Sequence, residues 1–453
     1  LFLLCIYLFQ NIIRLMKTKN VLFLVGLIVI STGSVRAQSV LSMKSAIDLA
    51  LKNNLGIVIA KNSAQIDQNN ATIGNAGMLP SVNVQGAATK GESDIRQEYN
   101  DGRVLSKSGV SNTNYSASAS LTWTIFDGFQ MFADYKKLQL LRDAGEVRVK
   151  QQVISTVSAV SYAYAELVMS KELVRNINST LPLYKERVQL ANQKLMMGKS
   201  DKTEWLQAKV DLNSRTNALL NAESSVRIAR SKMNAILMLS PQDSSYDVSD
   251  SLELTVVETD YNSFSKDFEK DNPDIYAADL NRKVIEQEMK ALKSGYLPVV
   301  DLNAGYNYTN SESSSGLFLV NRNSGPVAGL TLKWNLFNGM NQQRQVRNYK
   351  LMVESASSNL QQTTLLVQSS LYNAWQQYIA AKQVLNNARE GVMLADENLT
   401  IAAERFRLSE CTIVELKMAQ NAKEDALTAL LNAGFDAKIA EVNLLSISGK
   451  IVQ

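Results

Sequence analysis

One eight-residue block occurs twice in this chain, first as Leu121-Thr122-Trp123-Thr124-Ile125-Phe126-Asp127-Gly128 and 211 positions later as Leu332-Lys333-Trp334-Asn335-Leu336-Phe337-Asn338-Gly339. Another block, Gly77-Met78-Leu79-Pro80-Ser81-Val82, returns 218 positions later as Gly295-Tyr296-Leu297-Pro298-Val299-Val300. Single positions match at the same two displacements: Asn54 with Asn272, Ile57 with Ile275, Ala163 with Ala374, Lys171 with Lys382, Glu204 with Glu415, and Ala208 with Ala419. The displacement changes once, so one connection is seven residues shorter in the second copy. This conserved register predicts an internally duplicated fold.

The residues that lead into each eight-residue block alternate between apolar and polar. From Tyr115 to Ile125 every odd position is apolar and every even position is Ser or Thr, and residues 328–336 repeat the pattern less strictly. A period of two is typical of a strand with one apolar and one polar face. The segments after Pro80 and Pro298 alternate as well. We therefore predict two β-hairpins, at 79–127 and 297–338, whose polar segments 90–113 and 310–325 are the hairpin loops.

The apolar faces of these strands favour a membrane. They carry small aliphatic side chains with aromatic residues at their ends, namely Trp123, Trp334, Tyr306 and Tyr308, as in a lipid-facing band with an aromatic girdle. About ten residues is the length that a tilted strand needs to cross a bilayer. A soluble β-sandwich would show the same alternation and remains an alternative. A sheet in lipid must close on itself, and four strands are too few, so several chains would have to share one barrel.

Helical sequence fills most of the remaining chain. Residues 129–197 and 340–408 predict two helices of about 100 Å, because each residue adds about 1.5 Å. Short polar breaks at 198–201 and 409–412 precede return helices of about 35 to 40 residues, and residues 42–77 and 261–295 predict a helix before each hairpin. Rods this thin have no core of their own and need neighbours from the other copy and from other chains. We assign 38–240 and 261–453 to the two copies, and 241–260, with the strand-like segment 252–257, to a linker or equatorial segment.

The amino-terminal segment predicts export. A basic region from Met16 to Asn20, an apolar run from Val21 to Ile30 and a small residue at Ala37 form a secretory signal, with residues 1–15 as upstream sequence. The alternative is a single membrane anchor with a polar interruption. Cys5 would leave with the signal, so the mature chain would retain only Cys411 and form no internal disulfide.

Composition excludes several classes of protein. The chain has no histidine, which removes His-based triads and most zinc chemistry. Residues 1–37 hold four basic side chains and no acidic one, and the remainder holds 43 of each, so no basic stripe for nucleic acid is expected. We find no catalytic constellation, cofactor motif or metal-ligand spacing, and we expect no enzyme and no nucleic-acid partner.

The doubled layout, the two Gly-x-Leu-Pro segments and the two Trp-containing blocks together resemble the TolC-like outer-membrane efflux family over residues 40–448. The resemblance implies a mainly helical fold with membrane β-structure: a homotrimer with a shared twelve-stranded barrel in the outer membrane of a Gram-negative-type bacterium and a helical tunnel in the periplasm. It implies docking to a periplasmic adaptor and an inner-membrane transporter, with small molecules or proteins as cargo. The chain would then be a passive exit channel without cofactors. The alternative is a periplasmic helical adaptor or scaffold that never enters the membrane.

By the same resemblance, the two helix-to-helix breaks are candidates for gating or adaptor contact. The matching residues are Gly198, Asp201, Glu404, Arg407, Glu410 and Thr412. Charged side chains around a narrow pore act strongly on ions. The alternative is that these are solvated charges at helix ends. The second break has Ser409 where the family often has glycine, which leaves the closure of this turn open.

Overall fold

The computed structural model describes residues 39–249, 254, 260–266, 268–315, 318–408 and 410–451, so the expected signal segment 1–37 lies outside it. In chain order the first elements are β1 (Ser39–Leu41), α1 (Met43–Asn53), α2 (Leu55–Asn70), β2 (Ser81–Glu98), β3 (Val104–Phe126), α3 (Gln130–Met196) and α4 (Lys202–Ile236). They are followed by β4 (Tyr246–Val248), α5 (Tyr261–Ser265), α6 (Phe268–Asp271), α7 (Pro273–Lys293), β5 (Val299–Ser313), β6 (Val320–Lys333), α8 (Asn341–Arg407) and α9 (Ile413–Ile447). The predicted mainly helical fold with four principal strands is confirmed at this level.

The helices that follow each hairpin have equal lengths in the two copies. Helices α3 and α8 have 67 residues each, and α4 and α9 have 35 each. Pro182 lies inside α3 without ending it. The long helices begin and end within one residue of the bounds expected from the sequence, because no other strong breaker interrupts those segments.

Matching residues of the two copies make matching contacts. The Asn54 side chain caps α2 by accepting from the Ile57 N–H, and Asn272 caps α7 by accepting from the N–H groups of Asp274 and Ile275. Such caps satisfy backbone N–H groups that have no partner within the helix.

The repeated Trp-containing blocks are anchored alike. Trp123 Nε1 donates to the Met78 carbonyl at 3.0 Å, and Trp334 Nε1 donates to the Tyr296 carbonyl at 3.2 Å. Gly128 has φ of +71°, and a Cβ there would lie 2.7 Å from the Ser294 carbonyl oxygen, so only glycine fits. The repeated tryptophans thus join the end of each hairpin to the turn at its start.

The strands are longer than the sequence analysis predicted. β2 and β3 have 18 and 23 residues, and β5 and β6 have 15 and 14. Most of 90–113 and 310–325 is therefore strand, and the prediction of loops there is wrong. Polar residues continue the ladders because backbone hydrogen bonds, not side-chain hydrophobicity, join the strands. β6 also ends at Lys333, so Trp334 and Leu336 lie beyond it.

Two further predictions need correction. The helix expected over 42–77 is interrupted at Asn54 and ends at Asn70, and that expected over 261–295 is divided into α5, α6 and α7. The interruptions at Asn54 and Asn272 each lie at an asparagine whose side chain caps the next helix. β4, which pairs in parallel with β1, was not anticipated. Of the strand-like segment 252–257 only Leu254 is among the described residues.

The described chain divides into two compact units, each with its own core. Unit 1 comprises residues 39–50 and 160–249, and unit 2 comprises 51–159 and the described residues from 254 onward. In unit 1 the buried Tyr164 hydroxyl donates to the Leu41 carbonyl at 3.0 Å and lies 2.7 Å from Ser249 Oγ. The core of unit 2 includes Leu371 and Tyr378 on α8 and Leu444 on α9.

Among the described residues one helix, α3, contains a window of 18 residues apolar enough to cross a membrane, but 56% of that window is buried within the chain. Its burial is that of a core helix, since Val157, Val160, Tyr164 and Leu167 are all buried.

Candidate functional site

The principal sheet has one continuous apolar face. Its order is β2-β3-β5-β6, with antiparallel neighbours. The register aligns Val82 with Leu121, Leu121 with Ala304 and Ala304 with Ala328, so apolar positions lie side by side across all four strands. Large side chains on this face are exposed rather than packed: Val82, Val84, Tyr115, Trp123, Tyr306, Tyr308, Leu330 and Leu332. A water-exposed face of this size is typical of an interaction or membrane surface.

The four aromatic residues expected at a membrane interface are all exposed. Tyr306 and Tyr308 lie on the apolar face of β5, and Trp123 lies on the same face of β3, paired with Leu302. Trp334 follows β6 directly and is also exposed. Their assignment to a membrane interface remains a prediction.

The opposite face is polar, and its side chains bond across the strands. Asn303 Nδ2 donates to Thr331 Oγ1 at 3.1 Å, and Ser311 Oγ lies 2.9 Å from Asn114 Oδ1. Near the helical end of the sheet, Thr124 Oγ1 donates to Asp301 Oδ1 at 2.8 Å, and Lys333 Nζ lies 3.4 Å from the other carboxylate oxygen. A sheet with one apolar and one polar face fits a boundary between lipid and water.

The sheet has open edges. β2 and β6 each have one neighbour among the described strands, so one row of N–H and C=O groups on each is free to pair with another chain. In lipid such groups cannot be left without partners.

Helix α8 carries an exposed apolar stripe that the sequence analysis missed. Among its large exposed apolar residues, Leu351, Leu365, Tyr372 and Met393 are separated by multiples of seven, as are Met352, Leu366, Leu394 and Ile401. The two rows are one residue apart and therefore lie about 100° apart around the helix axis, so each row can contact a different neighbouring helix. A heptad count of the apolar positions in 341–407 finds the inward-facing seam instead, because every seventh residue from Val346 to Ala402 is apolar and at least half-buried.

The first helix-to-helix turn lies in unit 1. Gly198 has φ of +68°, the left-handed conformation common after the last turn of a helix. Asp201 caps α4, since its Oδ1 accepts from the N–H groups of Thr203 and Glu204 at 2.8 and 3.0 Å. Just before the turn, Met196 and Met197 are strongly exposed. Gly198 and Asp201 thus have clear local structural roles, and no contact tests their predicted gating role.

A buried ion pair near this turn was not found from the sequence. Arg187 on α3 bonds to Asp211 on α4, and only 3% of the arginine side chain is exposed. The guanidinium also lies 5.1 Å from the centre of the Tyr184 ring, and Gln207 Nε2 donates to the other aspartate oxygen at 3.0 Å. No short motif marks this pair, because its members are joined only when the two helices fold together.

The second turn lies in unit 2 and is closed differently. Thr412 caps α9 in a reciprocal arrangement with Glu415, the capping box. The Thr412 N–H donates to the Glu415 carboxylate at 2.7 Å, which holds the pKa of that group below its ordinary value. The Glu410 N–H donates to the Arg405 carbonyl at 2.8 Å. The capping box and a backbone hydrogen bond thus close the described part of this turn.

The other predicted residues of this turn are not brought into one cluster by the described contacts. Glu404 is exposed on α8, and Arg407 is the last residue of that helix. Ser409 and the Arg407 side chain lie outside the described part of the chain. Cys411 is half-buried, with Sγ 3.5 Å from the Ala402 carbonyl oxygen. Within the described residues no group of three or more acidic or cysteine side chains could hold a metal ion.

Comparison with known proteins places these features in one family. The family model described as outer membrane efflux protein matches residues 46–237 and 265–450. The outer membrane efflux protein BepC of Brucella suis is 21% identical over 431 residues, which cover 94% of this chain and 90% of BepC. Two solved structures have the same fold, each with a TM-score of 0.76. VceC of Vibrio cholerae is 18% identical, and the match covers 90% of this chain and 96% of VceC. CmeC of Campylobacter jejuni is 17% identical, and the match covers 90% of this chain and 85% of CmeC. The chain belongs to the outer membrane efflux protein family, the exit ducts of tripartite efflux systems.

Proposed function

We propose that three copies of this chain form one passive duct, with a twelve-stranded barrel in the outer membrane of a Gram-negative-type bacterium and a helical tunnel in the periplasm. The exposed apolar face of an open four-stranded sheet carries this proposal. Four strands cannot close a barrel, whereas three sets of four give twelve, which lies in the range of known membrane barrels. The apolar face would contact lipid, and the polar face would line a water-filled passage.

The stripe on α8 supports assembly of several copies. Eight exposed apolar residues in two rows would be costly in water, and neighbouring helices packed on the two rows would bury them. The stripe therefore favours neighbouring copies in contact along the tunnel.

The free ends of the tunnel would dock a periplasmic adaptor and, through it, an inner-membrane transporter. Met196 and Met197 at the first turn, and Leu408, Val414 and Met418 around the second, are exposed apolar side chains at helix ends. Methionine adapts readily to a partner surface. Gly198, Asp201, Glu404, Arg407, Glu410 and Thr412 remain candidates for gate or adaptor contact. The duct would use no cofactor and perform no chemistry.

The native mass of the protein extracted in detergent from washed outer membranes tests the assembly. We expect three chains per particle, and we expect Leu365→Asp, which introduces a charge into the stripe, to shift the mass toward one chain. Gln368→Asp is the matched control, because it adds the same charge to an exposed residue three positions further along α8 but removes no apolar side chain from the stripe. A single chain released by sodium carbonate would instead support the periplasmic scaffold.

A further inference from the structure

The first hairpin extends well beyond the second. β3 pairs with β5 only from Asn112 onward, whereas its pairing with β2 continues to Val104. Residues 94–109, which we call the outer ribbon, therefore form two strands and a turn without a third strand. A two-stranded ribbon is at best marginally stable alone, so its position depends on what it contacts.

A bulge bends the outer ribbon at its base. Ser93 pairs with Val110 and Ile95 with Lys107, so Asp94 alone opposes Ser108 and Gly109. Gly109 has φ of +69°, and its N–H donates to Asp94 Oδ1 at 2.8 Å. A bulge with glycine in the left-handed conformation bends and twists the strand that carries it.

The ribbon bends toward the polar face of the sheet, as the burial of Val110 indicates. Val110 alternates with Asn112, Asn114 and Ser116, so its side chain lies on the polar face. Its exposed fraction is 0%, although the other three are only partly buried. An apolar side chain on the polar face is covered here because it lies in the inner angle of the bend.

Contacts with the second hairpin give the same direction. Gln97, Glu98 and Tyr99 of the ribbon line a cavity of about 540 Å³ together with Ser311, Ser313, Phe318 and Asn321. Ser311 and Ser313 lie on the polar face of β5, and Asn321 pairs with Ser311. Lys107 Nζ also donates to the Ser314 carbonyl oxygen at 3.1 Å. The ribbon thus lies across the outer end of the polar face.

We propose that the outer ribbon is a lid over the outer mouth of the duct. This inference rests on the proposed function, because the polar face lines a passage only when the sheet closes into a barrel. Among the described residues, one lysine-to-carbonyl hydrogen bond joins the ribbon to the second hairpin, beside a cavity that both line. So few contacts permit opening, and the bulge is the hinge on which the ribbon moves.

Cysteine labelling on intact cells tests the lid. In a Cys411→Ser background, Ser116→Cys places a thiol on the polar face and Ala117→Cys places one on the apolar face. In a second set of variants an Asn-Gly turn replaces residues 94–109 and joins Ser93 to Val110, which are already partners in the ladder. The probe is a membrane-impermeant maleimide carrying a bulky polymer.

Removal of the ribbon is expected to speed labelling of Ser116→Cys about tenfold, as for a lid that is open about 10% of the time. Val320→Cys, on the outer end of the second hairpin, is the control and should react equally in both sets. If removal of the ribbon does not change the labelling rate of Ser116→Cys, whether that rate is high or zero, while Ala117→Cys stays protected, the lid is wrong but the proposed barrel is not contradicted. Equal labelling of Ser116→Cys and Ala117→Cys in both sets overturns the proposed function itself.

Discussion

The Arg187–Asp211 pair predicts how firmly the first helix-to-helix turn is held. In Arg187→Ala the carboxylate of Asp211 loses its buried guanidinium partner while remaining between α3 and α4. Breaking a buried pair costs about 3–5 kcal/mol, because one charge stays in a poorly solvated place. Asp211 retains the Gln207 amide, and 14% of its side chain is exposed, so we expect the lower end, about 3 kcal/mol.

Hydrogen exchange followed by mass spectrometry on the detergent-extracted protein measures this loss. Amides in 180–196 and 202–215 should exchange about a hundredfold faster, since about 1.4 kcal/mol corresponds to a factor of ten. The matched control is Arg175→Ala on the same helix. The Arg175 side chain is 55% exposed and bonds to Glu172 three residues earlier, so its loss should cost less than about 1 kcal/mol.

A double variant separates the charge effect from packing. Arg187→Met combined with Asp211→Leu removes both charges, and replacing a buried pair by apolar side chains is often neutral or stabilising. We expect this variant to restore most of the protection. If Arg187→Ala exchanges no faster than Arg175→Ala, or if the double variant is worse than the single one, the pair does not hold the turn.

Three further predictions concern capping and titration. Asp201→Ala and Thr412→Ala should each cost about 1 kcal/mol and speed exchange in the first turn of the following helix, whereas equal rates in variant and wild type would contradict the capping roles. The pKa of Glu415 is lowered in the folded protein, so its contribution to the cap should be complete above about pH 4.3 and lost as the pH falls through its lowered pKa. Hydrogen-exchange protection factors in α9 that stay constant down to about pH 3 would refute this. Burial raises the pKa of Tyr246 to about 12, and its neutral hydroxyl donates to Asn234 Oδ1 at 2.6 Å. The stabilisation from this hydroxyl should therefore be complete below about pH 10 and lost as the pH rises through about 12. Tyrosinate absorbance compared with that of Tyr246→Phe measures the pKa of this group, and a value of about 10 would contradict the prediction.

Much of the architecture follows from patterns that are local in the chain. The alternation from Tyr115 to Ile125 predicts a strand with two unlike faces, and the absence of strong breakers predicts the long helices to within a residue. The repeated asparagines and tryptophans predict equivalent structure in both copies, and their hydrogen bonds are equivalent. The sequence also identifies the two helix-to-helix turns, but the gating role of residues such as Asp201 and Glu410 remains a prediction.

The sequence by itself determined the duplication, the two-faced strands and the helix lengths, because periodicity and chain propensity act over a few neighbouring residues. Only the tertiary structure decided which distant residues meet. Arg187 finds Asp211 across two antiparallel helices, Ser39–Leu41 pairs with Tyr246–Val248, and the outer ribbon bends over the second hairpin through a bulge at Gly109. These contacts depend on the pairing register of strands and on the direction in which a strand bends. Both are set by packing between distant segments, and no local sequence pattern encodes them.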